Sequence, residues 1–126
     1  MKGPILVVED GRNEMELILR TLEQNGYFTV PYSDGHEAEE SIRQGLRYKL
    51  ALIDLSTNVD GNELAKISKE FSPKAPVVIM SGFPVGHMSH VYSSKNWDFH
   101  IAKPFGKKDL LEKIDSFFQG NQSLQP

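Results

Sequence analysis

An α/β fold with an open parallel sheet is predicted by three features of the chain. Apolar runs of four residues alternate with segments of helical period, turn-forming residues bound the runs, and each run leads into a polar or charged residue. Such short runs read as strands buried on both faces of a parallel sheet. Their alternation with helices supplies the βαβ order.

The first strand is Ile5-Leu6-Val7-Val8, running into Glu9-Asp10. Asp10-Gly11 is expected to cap a helix on which Met15, Ile18, Leu19 and Leu22 share one face, with Gly26 as its stop. Tyr27–Tyr32 alternates weakly and contains Pro31, which suits an edge strand. Asp34 and Glu37 make a capping-box pattern before a helix carrying Ala38, Ile42 and Leu46. Leu50-Ala51-Leu52-Ile53 leads into Asp54, and Asp60-Gly61 turns into a helix marked by Leu64, Ile67 and Phe71 and closed by Ser72-Pro73. Val77-Val78-Ile79-Met80 reaches Ser81-Gly82. Residues 83–98 are the weakest stretch, because Pro84 and Gly86 interrupt it and only Met88, Val91 and Tyr92 offer an apolar face. A short or mobile helix is expected there. Phe99-His100-Ile101-Ala102 then leads into Lys103-Pro104, and the last helix carries Leu110, Leu111, Ile114, Phe117 and Phe118, with Gly120 beyond it. The expected organisation is one domain over residues 1–120, with 121–126 as a polar tail or the start of a linker.

Bulk properties narrow the function. The 126 residues suffice for one domain with a single core, and 39% hydrophobic with 25% charged residues is a globular composition. A net charge of −3 argues against a nucleic-acid surface, which needs a basic patch. No run approaches the roughly 18 apolar residues of a membrane span, and Met1-Lys2-Gly3-Pro4 has no signal-peptide pattern. The absence of cysteine excludes thiolate chemistry and disulfides. A cytoplasmic location is expected.

Ligand sites in open parallel sheets form at the carboxyl ends of the strands. Glu9, Asp10, Asp54, Ser81 and Lys103 should therefore converge. Clustered carboxylates repel one another and call for a cation, either Lys103 or a metal. Oxygen ligands suit Mg²⁺, which takes one or two carboxylates and bridges to phosphate. Phosphoryl transfer asks mainly for positioning and charge neutralisation, and a carboxylate can be its nucleophile, giving an acyl phosphate. Ser81 would donate a hydrogen bond to a phosphoryl oxygen and Lys103 would pair with another. Each residue alone has a plainer role: a strand-end acid is often a helix cap, Ser81-Gly82 a turn, Lys103-Pro104 a loop. Their joint order at the ends of successive strands is what carries the chemistry.

From Ile5 to Phe118 the chain resembles the response-regulator receiver domain family. The motifs are Val7-Val8-Glu9-Asp10, Leu52-Ile53-Asp54-Leu55, Asp60-Gly61-Asn62-Glu63-Leu64, Val78-Ile79-Met80-Ser81-Gly82 and Lys103-Pro104-Phe105. The resemblance implies a flavodoxin-like, doubly wound five-stranded parallel sheet in order 2-1-3-4-5 with five helices. It implies that Asp54 accepts a phosphoryl group from a histidine kinase or histidine phosphotransfer protein. Glu9, Asp10, Asp54 and the Ser56 backbone carbonyl would surround Mg²⁺, Ser81 and Lys103 would sense the phosphate, and the Lys103–Pro104 bond would be cis. Phosphorylation would draw Ser81 inward and rearrange His100 at the aromatic switch position. The surface of the weak helix, fifth strand and last helix (Val91, Tyr92, His100, Lys108, Leu111) would then change its affinity for a downstream effector or fused output domain. Dimerisation through the last two helices stays open.

Three departures from the family pattern stand out. The loop after the acceptor, Ser56-Thr57-Asn58-Val59, is one residue shorter and lacks the usual Met-Pro pair. His100 replaces the common Tyr or Phe, and its charge can change between about pH 5 and 8. Phe83 occupies a position where polar residues often act on attacking water. The rivals are a pseudo-receiver used only for docking and a Mg²⁺-dependent phosphohydrolase. The latter usually carries a second Asp two residues after the first, where this chain has Ser56. A flavin protein fits less well, since no phosphate loop rich in Gly, Ser or Thr follows the first strand. Outside the motifs, His87 and His90 lack a third metal ligand, and Trp97 is expected to pack at a helix end. An apolar Phe83 cannot orient water, so dephosphorylation of the acyl phosphate should be slow. Phe83→Glu or Phe83→Asn should change that rate in a phosphate-release assay, and equal rates would remove Phe83 from the water path.

Overall fold

Within the computed structural model, residues 2–57, 59–82 and 96–123 are described. The elements are β1 (Lys2–Val8), α1 (Arg12–Gln24), β2 (Tyr27–Tyr32), α2 (Gly35–Arg43), β3 (Leu50–Asp54), α3 (Gly61–Phe71), β4 (Val77–Ser81), β5 (Phe99–Ala102) and α4 (Lys107–Ser123). All strands are parallel and lie in the order β2-β1-β3-β4-β5. Four helices are seen among the described residues. The expected fifth, with Phe83, His87, His90, Val91 and Tyr92, lies outside them.

Alternate residues of a strand point to opposite faces, and the three central strands use both. Leu6, Val8, Ala51, Ile53, Val77 and Ile79 meet Ala38, Ile42, Leu64 and Ile67 of α2 and α3 in one apolar layer. Ile5, Val7, Leu50, Leu52, Val78 and Met80 meet Ile18 and Leu22 of α1 and Leu110 and Ile114 of α4 in the other. Continuous apolar runs, rather than alternating ones, follow directly from this two-sided burial. β2 is an edge strand, as Pro31 required.

Several expectations need correction. The run Phe99–Ala102 is not buried on both faces: β5 is the other edge of the sheet, and only Ile101 is buried while Phe99 is exposed. Length alone does not distinguish such a strand from a central one. Of the Asp10-Gly11 pair, Gly11 is the N-cap of α1, without a side-chain capping bond, and Asp10 lies one residue before it, exposed beside Glu9. Leu46 lies beyond the end of α2 and packs against the core from the following turn. Phe71 ends α3 but is exposed, with the Arg43 guanidinium 5.6 Å from its ring centre. α4 does not stop at Gly120 but runs to Ser123. A lone glycine costs about 1 kcal/mol in a helix interior and does not by itself end one.

The other caps follow their local chemistry. Asp34 accepts from the backbone N–H of His36 and Asp60 from that of Asn62, each satisfying an orphan donor of its helix. Gly26, between α1 and β2, has φ +87°, a conformation that favours glycine. Gly61 is needed for a different reason. A Cβ there would fall 2.6 Å from Leu55 Cα and 3.0 Å from the Asp54 carbonyl oxygen, so α3 starts in contact with the main chain that follows β3. Helix propensity favours Gly61→Ala by at most about 1 kcal/mol, whereas overpacking typically costs about 1–3 kcal/mol. Because the obstructing atoms are backbone, the second effect should win. Gly61→Ala is expected to lower unfolding free energy by about 1 kcal/mol or more in urea denaturation; an equally stable variant would show that α3 shifts freely.

Candidate functional site

Register brings the strand ends together. Val8 pairs with Ile53 and Asp54 with Met80, while Ser81 pairs with Ala102. Glu9 and Asp10 thus follow β1, Asp54 ends β3, Ser81 ends β4 and Lys103 follows β5, all at the carboxyl edge of the sheet. Glu9, Asp10 and Asp54 each place a carboxylate oxygen within 4.8 Å of the others. Glu9 and Asp54 are each only 1% exposed, so their charge needs a partner inside the protein.

Lys103 is that partner. Its Nζ donates to Glu9 Oε1 at 2.8 Å and to Asp54 Oδ2 at 3.2 Å. The second Glu9 oxygen accepts from the Gly11 N–H at 2.9 Å. The Lys103 main-chain N–H donates to the Ser81 carbonyl at 2.8 Å, tying β5 to the end of β4. Ser81 itself is 2% exposed, and the Lys103–Pro104 peptide is cis.

Burial and charge shift the site's protons. Burial pushes the Glu9 carboxyl up to about 7, against the pull of Lys103 and the Gly11 N–H; neighbouring Asp54 pushes the same way as burial. Burial works to lower the Lys103 ammonium, but Glu9 and Asp54 outweigh it and the net shift is upward. Burial lowers the His100 imidazole, with the Ser81 main chain opposing. Neither His100 ring nitrogen has a hydrogen-bond partner of normal geometry among the described residues. Its ring lies 6.4 Å from that of Trp97, which packs against the α2/α3 layer.

Ser56 contributes more than its carbonyl. Ser56 was expected to act through its carbonyl, yet its side chain engages the acceptor carboxylate directly. The Ser56 N–H donates to Asp54 Oδ1 at 3.1 Å, and its hydroxyl lies 3.1 Å from both Oδ1 and Oδ2. A carboxylate two residues before a serine commonly closes such a turn, and that spacing was the available signal. Beyond it, Thr57 donates to the Val59 carbonyl at 2.6 Å.

Three carboxylates against one ammonium leave the site with two negative charges in excess when all are ionised. A hard divalent cation fits this donor set, and oxygens of Glu9, Asp10 and Asp54 could hold it. No helix among the described residues is long and apolar enough to cross a membrane.

The model of the response regulator receiver domain family matches residues 5–115. The response regulator receiver protein CpdR of Brucella abortus is 26% identical over 112 residues, covering 88% of this chain and 92% of that protein. A CheY-like receiver domain protein from Methanospirillum hungatei superposes with a TM-score of 0.84 at 24% identity, covering 97% of this chain and 98% of that one. TrrA of Thermotoga maritima, solved in complex with Mg²⁺–BeF, superposes with a TM-score of 0.79 at 28% identity, covering 92% and 98%. The chain spans only about half the length of the MprA response regulators it also matches.

The raised Glu9 carboxyl has a definite sign. A group held above its ordinary 4.5 binds its proton more tightly in the folded state, so its contribution to stability is complete below about 4.5 and is lost as pH rises through about 7. The metal-free protein should lose stability across that window, and Glu9→Gln should flatten the loss. Thermal unfolding in EDTA at pH 5 and pH 8 checks this; parallel slopes for the two proteins would contradict it.

Proposed function

The chain belongs to the response regulator receiver domain family, and from that premise we propose that Asp54 is its phosphoacceptor, with Glu9, Asp10, Asp54 itself and the Ser56 carbonyl holding Mg²⁺. The observation that carries the proposal is the shared ammonium: Lys103 reaches both the buried acceptor and its neighbouring carboxylate. Glu9 and Lys103 would thus keep the Asp54 carboxylate oriented while leaving Asp10 exposed for a cation.

The donor would be the phosphohistidine of a sensor kinase or phosphotransfer protein. One Asp54 oxygen attacks phosphorus, the P–O bond forms as the P–N bond breaks, and the imidazole leaves with its electron pair and takes a proton from solvent. As the acyl phosphate forms, Lys103 loses its bond to the attacked carboxylate and pairs with a phosphoryl oxygen instead. The Ser56 N–H continues to hold the carboxylate side of the new bond, and the Ser81 hydroxyl donates to a second phosphoryl oxygen. Bound Mg²⁺ supplies neutralisation of the transferred charge.

Receiver domains are signalling modules, and a single trapped phosphoryl group, rather than turnover, is the proposed output of this one. Differential contacts at Ser81 and Lys103 would bias the two states, with His100 at the strand next to Ser81 rearranging. The face carrying His100, Lys108 and Leu111 would meet an effector or a fused output domain, and a cytoplasmic setting belongs to the same proposal.

Intact mass after brief incubation with acetyl phosphate tests the assignment. One phosphoryl adduct is expected, dependent on Mg²⁺ and missing from Asp54→Asn. No adduct from a folded protein would point to docking alone, and continuous phosphate release would point to a hydrolase.

A further inference from the structure

The opposite pole of the sheet carries a second concentration of charge, of the other sign. β1 begins at Lys2, β3 immediately after Lys49, and β4 three residues after Lys74. These are neighbouring strands, about 4.8 Å apart, so their starts set three lysines in a row. They line a cavity of about 500 Å³ together with Pro76, Phe117 and Phe118. A second cavity of about 590 Å³ shares Lys49 and adds Arg47 and Phe71. Neither is lined by an Asp or Glu among the described residues, in a chain whose net charge is −3.

Helix macrodipoles do not account for the row. Cations that complement a helix C-terminus sit in its last turn, and neither α4, which walls the first cavity with Phe117 and Phe118, nor α1 has a basic residue there. α2 and α3 do, at Arg43 and Lys69, and both are engaged, with Glu39 and Asp98. Lys2 is partly engaged, 3.8 Å from Asp115 and 4.3 Å from the Tyr27 ring centre. Lys49 and Lys74 form no ion pair among the described residues and are exposed.

We propose that this cavity binds a small anion bearing two or more phosphate groups. Lys49 and Lys74 would take phosphate oxygens, with Lys2 behind them and Phe117 and Phe118 as the apolar wall. Lysines bind phosphate as point charges, and two or three of them at one cavity match an anion that carries more than one charge. The volume lies within the range of small-molecule sites.

Inorganic pyrophosphate in Mg²⁺-free buffer is the probe, read by ¹⁵N amide shifts and calorimetry. Saturable binding is expected, with shifts at residues 2–3, 49, 74–75 and 117–118. Lys49→Gln combined with Lys74→Gln should weaken it at least tenfold at unchanged melting temperature; the two single variants serve if the double one fails to fold. Shifts centred on Ser81 and Lys103, non-saturable binding, or unchanged affinity in the variants would each overturn the proposal. So would tighter binding of a tetraglutamate peptide at the same residues, which would make the pole a docking surface for an acidic segment.

Discussion

One ammonium group shared by two buried carboxylates governs the arrangement of the domain. Glu9 and Asp54 belong to neighbouring strands and would repel each other in a medium of low dielectric. Lys103 arrives from the far edge of the sheet to separate them. Removing one partner from such a buried set leaves an uncompensated charge, the expensive way to break an ion pair. The imbalance that remains after Lys103 has been counted is what makes the site receptive to a cation and then to a phosphoryl group. Stability and chemistry are here set by the same three side chains.

The sheet makes that arrangement rigid. β3 is enclosed by β1 and β4, every residue from Leu50 to Asp54 is buried, and the acceptor terminates this fully buried strand. The start of α3 is fitted against the backbone just beyond the acceptor, with no room for a side chain at position 61. Changes in the main chain at Asp54 and Leu55 are therefore felt directly at the start of α3, through this contact. Ser56 adds a local brace, holding both oxygens of the carboxylate from two residues away.

Much of this was legible in the chain. Runs such as Leu50–Ile53 and Val77–Met80 are apolar throughout because both faces are covered, and the residues that follow them fall at one edge by topology. What escaped depended on information a run does not contain. Phe99–Ala102 has the length of a central run and differs only by His100, and its position at the sheet edge is set by strand order. Gly120 looked like a stop because propensity is local, while continuation of α4 is decided over several turns. The side-chain role of Ser56 was hidden because a serine after an acid is compatible with many turns, and only the fold aims its hydroxyl at Asp54.

Strand order also sets a timetable. β1 lies in the interior of the sheet and is the first strand to be synthesised, yet its neighbour β3 is encoded more than forty residues later. Until then a nascent β1–α1–β2 unit presents Ile5–Val8 along an open edge, the kind of surface that recruits unwanted strands. The acids converge next, and their neutralising lysine leaves the ribosome after every strand has been made. A nearly complete chain thus holds the charge cluster of the finished site without its counter-ion, and the last strand to dock is the one whose exposed Phe99 tolerates being an edge.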